Sequence, residues 1–311
     1  MAKRDFRRIF DLSTDEVWAV LDLARELKRE VPVKQFTRRL SDRVLAMVFE
    51  KPSLRTRCTF EIAMTQMGGA AIYLGPHEIG LGKRESVHDI ARNLERWFDL
   101  VMIRTFDQKN VDELARHCAL PVINALSDYE HPCQAMADFL TLTEKRESLE
   151  GLRLAYVGDG NNICHSLIAL SARLGTEIRV ASPEGYSPCS RLVERARVEA
   201  QETGARIRVT TDPAEAVASA DAVYTDVWAS MGQENEAEER RAAFTPYQVN
   251  AELVAGADPD AFIMHDLPAH RGEEITDEMM DSPRSIVFDQ AENRLHAQKA
   301  LLVYLDAHGR D

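Results

Sequence analysis

Apolar positions along this chain fall in short, β-branched runs separated by amphipathic stretches. In the first half the runs are DRVLAMVF (42–49), AAIYL (70–74), LVMI (100–103) and PVINA (121–125). Each has strand length, and helical periodicity fills the intervals, as at 86–98 and 109–118. The second half repeats the habit with LRLAYVG (152–158), EIRVAS (177–182), RIRVT (206–210), DAVYTD (221–226), AFIMH (261–265) and SIVFD (285–289). Alternation of this kind predicts α/β architecture, with parallel sheets flanked by helices on both faces.

The pattern divides in two. A helical segment over 131–149 ends in EKRESLEG, where Gly151 is placed for a turn before the next strand. We expect a first domain over 1–148 and a second over 149–289, joined by interdomain helices. The C-terminal helix, 290–311, is expected to pack back on the first domain. Near the start, STDE (13–16) is a capping box that opens a helix to about Glu30.

At 311 residues, two domains of ordinary size fit comfortably. No apolar run is long enough to span a bilayer, and no apolar stretch follows the basic residues of MAKRDFRRIFDLS, which predicts no secretion signal. The five cysteines are scattered without metal-ligand spacing and read as reduced thiols of a cytoplasmic protein. A net charge of −13 argues against nucleic acid and anionic membrane as partners. It also sharpens the oddity of FEKPSLRTRCTFE (49–61), which sets Lys51, Arg55 and Arg57 close together in an acidic chain.

That segment joins a strand to a helix. Ser53 falls at the helix N-terminus, where backbone N–H groups and the positive dipole end face outward. With the Thr56 hydroxyl and the guanidinium groups of Arg55 and Arg57, it forms a phosphate cradle without a glycine-rich loop. Ligands of open α/β sheets bind beyond the carboxyl ends of strands, where this segment lies. Arg104 and His131 each follow another strand of the same half, and Gln134 stands one helical turn beyond His131. Surface arginines at a helix start are the plainer reading of the cradle alone; convergence of Arg104 and His131 disfavours it.

These residues carry a resemblance. FEKPSLRTR, HPCQ, VGDGNNICHSL, DVWASMGQE, HDLPAHRGEEIT and QAENRLHAQKA occur in order over nearly the whole chain and resemble the ornithine carbamoyltransferases. The resemblance implies transfer of the carbamoyl group of carbamoyl phosphate to the side-chain amine of L-ornithine, giving citrulline in arginine biosynthesis. It implies a homotrimer with no metal or organic cofactor. Carbamoyl phosphate would be held by Ser53, Leu54, Arg55, Thr56, Arg57, Arg104, His131, Gln134, Asp266, Leu267 and Arg294. Ornithine would be held by Asn162, with Asn161 beside it, and by Asp226, Ser230 and Met231. Arg104, His131 and Asp266 would be catalytic. The chemistry agrees: an amine attacking a carbonyl develops charge on oxygen, and Arg104, His131 and Thr56 are suitable donors.

Two departures from the family pattern stand out. The loop 75–86 has Gly80 where the family carries a Gln or His that reaches a neighbouring subunit, so that this contact is missing or is made by Lys83 or His77. HDLP has Asp266 where the family has cysteine. Other readings compete. VGDGNN suggests a dinucleotide site but lacks the third glycine and an acid after the next strand. Aspartate as acceptor would need cations in DVWASMGQENEAEER, which has none before Arg240. Putrescine or N-acetylornithine as acceptor, or a catalytically weak binding relative, complete the alternatives.

Overall fold

The computed structural model describes residues 3–309 except 83, 147, 231 and 233. Two compact units divide it, Met1–Leu140 with Glu292–Asp311, and Thr141–Ala291. The chain passes from one to the other inside the helix Pro132–Lys145 and returns inside the helix Val287–His308.

The first unit is a four-stranded parallel sheet of β1 (Val44–Phe49), β2 (Ala70–Leu74), β3 (Leu100–Arg104) and β4 (Val122–Leu126), in the order β2-β1-β3-β4. Leu45 to Phe49 are all buried, so β1 reads as an unbroken apolar run because helices cover both its faces. Register pairs Phe49 with Arg104 and Arg104 with Leu126, which brings three strand ends side by side. Ser13 and Glu16 form the capping box of the helix Thr14–Lys28. The last helix packs within this unit: the Tyr304 hydroxyl donates to Glu16 at 3.0 Å and Lys28 donates to Asn293 at 2.8 Å.

The second unit is a five-stranded parallel sheet of β5 (Arg153–Val157), β6 (Glu177–Ala181), β7 (Arg206–Thr210), β8 (Ala222–Thr225) and β9 (Phe262–His265), ordered β7-β6-β5-β8-β9. The run 285–289 is not a strand. Ser285 makes one isolated bridge to Ile263, and the chain is helical from Val287, because Ser282–Arg284 bring it against β9 only long enough for one pair.

Asp221, just before β8, fastens β5. It accepts from the Arg153 backbone N–H at 2.8 Å and from the Arg153 and Arg146 guanidiniums at 3.0 and 2.9 Å. Burial opposes ionisation, but these donors prevail and hold its pKa down to about 2. A depressed carboxyl stabilises the fold above its unfolded pKa and loses that contribution as pH falls through the folded value. Asp221→Asn is therefore expected to cost about 1–2 kcal/mol at pH 7, allowing for solvent screening. The gap between variant and wild type in thermal melts should close between about pH 4 and pH 2. A gap independent of pH would refute the ion pair as its cause.

Candidate functional site

Both sheets reverse strand order at one point, between β1 and β3 in the first and between β5 and β8 in the second. A crevice forms beyond the carboxyl ends of strands at such a point. Each unit gathers a cluster of polar side chains there.

In the first unit Ser53 is the N-cap of the helix Leu54–Gln66, accepting from the Thr56 N–H at 3.3 Å. Its hydroxyl also donates to Thr56 Oγ1 at 3.1 Å. The same oxygen receives the Arg294 guanidinium at 3.2 Å and that of Arg104 at 3.5 Å. Arg294 donates a second bond to Gln134 Oε1 at 2.6 Å, and Gln134 in turn donates to Asp138 at 2.9 Å. Thr56 and Gln134 are buried, as is His131. One hydroxyl oxygen has two lone pairs, so three donors aimed at it mark a place better suited to an anion.

His131 is held by the turn after β4. Ser127 accepts the Tyr129 and Glu130 N–H groups at 3.2 and 3.1 Å, and its hydroxyl donates to Gln108 at 2.6 Å. Burial first, then the charges of Arg294, Arg104 and Arg55, keep the His131 pKa well below the usual imidazole range. It meets a ligand as a neutral ring. Cys133, two residues on, is pushed up to about 12 by burial, which removes it as a nucleophile.

The cations of 51–57 do not all converge. Lys51 lies over the Phe106 ring at 4.2 Å. Arg57 is exposed, paired with Glu61 at 3.0 Å and stacked 4.3 Å over Tyr73. Arg55 is close enough for its charge to act on His131, and Leu54 is 77% exposed.

In the second unit β5 ends in Gly158, Asp159, Gly160 and Asn161. A side chain at Gly160 would meet Pro188 N at 2.2 Å, so this glycine admits the 186–188 loop rather than a pyrophosphate. Asn161 ties several of these groups together. Its oxygen caps the helix Asn162–Leu174 through the Ile163 and Cys164 N–H groups and accepts the Tyr156 hydroxyl at 3.3 Å. Its amide donates to Asp226 Oδ2 at 2.7 Å. Asp226 Oδ1 accepts the Val227 N–H at 2.7 Å. Burial first, then the carboxyl of Asp266, hold Asp226 well above the usual carboxylate range.

Asp266 follows β9. His265 is wholly buried, with Nε2 3.0 Å from Glu274 and Nδ1 3.5 Å from Asp266. Burial disfavours the charged ring, and the neighbouring carboxyls of Asp266 and Glu274 act in the opposite direction. The Leu267 N–H nevertheless donates to Nδ1 at 2.9 Å, and a nitrogen accepting a hydrogen bond carries no proton. The geometry is that of the neutral ring with its proton on Nε2, facing Glu274. Both nitrogens are thus engaged, and the ring presents no lone pair to a metal ion. Leu267 holds φ +61°, an uncommon left-handed conformation for a branched residue, as the chain turns into Pro268.

The comparisons with known proteins now bear on these clusters. Residues 4–144 match the family model described as "Aspartate/ornithine carbamoyltransferase, carbamoyl-P binding domain", and 150–305 match its "Asp/Orn binding domain". The chain belongs to the aspartate/ornithine carbamoyltransferase family. The anabolic ornithine carbamoyltransferase of Pyrococcus furiosus is 49% identical over 302 residues, covering 97% of this chain and 96% of that one. The ornithine carbamoyltransferase of Symbiobacterium thermophilum is 52% identical, covering 98% of each. A solved structure of the Pyrococcus furiosus enzyme superposes with a TM-score of 0.94 at 50% identity, covering 97% of this chain and 96% of that chain.

Within this family member the expected residues are unevenly placed. Ser53, Arg55, Thr56, Arg104, His131, Gln134 and Arg294 come together, whereas Arg57 stands apart. Asp226 and Asp266 come together in the second unit. Ser230 is half-buried on the loop after β8; Met231 lies outside the described residues. Gly80, at φ +50°, ends the short helix Pro76–Ile79, and a side chain there would meet Arg84 Cβ at 2.8 Å. His77 on that loop is exposed, and Lys83 lies outside the described residues.

Arg240 and Asp159 were not expected. The Arg240 guanidinium is buried, donating to Asp159 at 2.9 Å and to the Trp228 carbonyl at 3.0 Å while stacking 5.0 Å over Tyr186. Glu236, one turn earlier, also accepts from it at 3.0 Å. The i, i+4 spacing of Glu236 and Arg240 was the only signal in the sequence.

Proposed function

We infer that this chain is an ornithine carbamoyltransferase, a transferase that moves the carbamoyl group of carbamoyl phosphate to the side-chain amine of L-ornithine, yielding citrulline and phosphate. The first unit binds carbamoyl phosphate. Arg55, the 54–56 helix terminus and the Ser53 hydroxyl take the phosphate. Arg104, His131 and Thr56 donate to the carbamoyl oxygen, Gln134 accepts from the carbamoyl nitrogen, and Arg294 completes the anion site. Developing charge on that oxygen is stabilised by donors already fixed in place, and phosphate leaves as a stabilised anion.

The second unit binds ornithine through Asp226, Asn161, Asn162, Ser230 and Met231, with Asp266 and Leu267 beside them. The observation that carries ornithine over aspartate is the sign of this cluster. Asp226 and Asp266 are both acidic, and Arg240 is spent on Asp159 and Glu236. Among the described residues an anionic side chain would find no cation beside Asp226 and Asp266, while a cationic amine finds two carboxyls.

The test is citrulline formation from carbamoyl phosphate with L-ornithine, putrescine, N-acetylornithine and L-aspartate offered in parallel. Ornithine should give the highest kcat/KM; preference for any other acceptor would overturn the assignment. We place the reaction in arginine biosynthesis, in the cytoplasm, where the five free thiols persist. We further propose a homotrimer. Leu54, Ile62 and Ile72 of the first unit are exposed apolar side chains, and β2 is a sheet edge. Sedimentation should give three times the chain mass of 35.0 kDa; a monomer would exclude it.

A further inference from the structure

Two buried carboxyl groups stand together in the second unit. Asp226 and Asp266, on the turns after the neighbouring strands β8 and β9, bring carboxyl oxygens within 4.8 Å of each other and of the His265 ring. Like charges so close in a buried place cannot both ionise unless a cation compensates. Among the described residues the groups facing the pair supply none once the tautomer of His265 is read from its hydrogen bonds. His265 is held neutral by the Leu267 N–H on one nitrogen and Glu274 on the other. Asn161 contributes an amide at 2.7 Å, Tyr156 a hydroxyl already donating to Asp159 O, and Cys164 a thiol raised well above its ordinary range by burial. Arg240, the guanidinium beside Asp159, is engaged by Asp159 and Glu236.

We propose that Asp226 and Asp266 form a two-carboxyl seat that holds one shared proton at rest and releases it when the cationic ornithine amine arrives. The proposal rests on the ornithine reading above. In this step one carboxyl O–H bond breaks, its proton is taken by a buffer base or water, and the ammonium takes its place between the oxygens. Asp266 is then a specificity-determining residue. It doubles the negative charge available to a cationic acceptor, yet its cost in repulsion is suspended in the empty site by the proton. A single carboxylate beside a neutral side chain would bind the same amine without giving up a proton.

The prediction is a pH signature. Binding competes with the shared proton, so kcat/KM for ornithine, at saturating carbamoyl phosphate, should fall with acidity below the pair's apparent pKa. In a plot of log kcat/KM against pH, the wild-type slope there should exceed that of Asp266→Asn by about one, since the variant seat has no second ionisable carboxyl. Asp266→Cys should lose the same extra slope while still forming citrulline. Loss of a proton from ornithine itself would affect all three proteins alike, so parallel profiles would overturn the proposal.

Carbon-13 NMR of the resting wild-type protein, labelled at aspartate carboxyls, provides a readout that needs no variant activity. A carboxyl assigned to the pair should titrate above the ordinary aspartate range, and in Asp266→Cys the Asp226 titration should move to lower pH, because burial remains but the second carboxyl is gone. Two carboxyls at 226 and 266 each titrating near pH 4 would refute the shared proton. If wild type forms no citrulline, the functional reading fails while the NMR test of the pair still stands.

Discussion

Arg104→Met should lower kcat/KM by about 10³-fold with little change in melting temperature, the scale seen when one preorganised oxyanion donor is removed. Arg104 ends β3, paired in register with Phe49 and Leu126, so its backbone is fixed by two neighbouring strands. Its guanidinium reaches Thr56 and bears on His131, linking two other members of the cluster. Methionine keeps the length and loses every donor. On the proposed reading the carbamoyl oxygen then keeps only His131 and Thr56, and the loss should fall on kcat as well as on carbamoyl phosphate binding. Steady-state kinetics with both substrates varied would show it. A variant that raised only the KM for ornithine would place Arg104 outside the carbamoyl site.

Arg57→Ala is the informative contrast. Its guanidinium is committed to an exposed ion pair and an aromatic face, contacts worth about 0.2–1 kcal/mol each. A loss of carbamoyl phosphate affinity comparable to that in Arg104→Met would mean that Arg57 leaves Glu61 and Tyr73 when the ligand binds.

The difference between these arginines shows where reading the sequence stops. Strand runs, the Ser53 cap and the strand-end positions of Arg104 and His131 were legible, because periodicity and capping chemistry are local. The direction of a side chain on the first turn of a helix is not local. Arg55 and Arg57 are two positions, or about 200°, apart on a helix, so one facing the crevice turns the other away. Asn161 and Asn162 also differ in place. The capping rule favours the residue before the first helical position, and Asn161 holds it, leaving Asn162 inside the first turn. SIVFD misled because a five-residue apolar run cannot by itself distinguish a strand from the start of a buried helix. Arg240 escaped notice because its partner Asp159 is 81 residues away in sequence.

Asp226→Asn is expected to lower kcat/KM for ornithine by about 10²–10³-fold while the KM for carbamoyl phosphate stays near its wild-type value. Two effects add. The carboxylate of Asp226 accepts from the Asn161 amide and the Val227 N–H, both at 2.7 Å, so both of its oxygens are used as acceptors. An asparagine has one acceptor oxygen and one donor nitrogen, so either orientation sets its NH₂ against one of those donors. Leaving a buried donor unsatisfied costs about 1–3 kcal/mol, and the charge-assisted contact to an ammonium, worth about 1.5–3 kcal/mol, is lost as well. At 1.4 kcal/mol for each factor of ten, the sum reaches the expected range before the seat relaxes. The location of the loss is the test. If Asp226 holds the acceptor, titrating ornithine at fixed carbamoyl phosphate should show the KM rising, and excess ornithine should recover much of the rate. Equal rises in both KM values would instead point to a damaged second unit, which circular dichroism and a lowered melting temperature would register. A fall in kcat that no excess of ornithine recovers would move Asp226 from binding the amine to taking its proton.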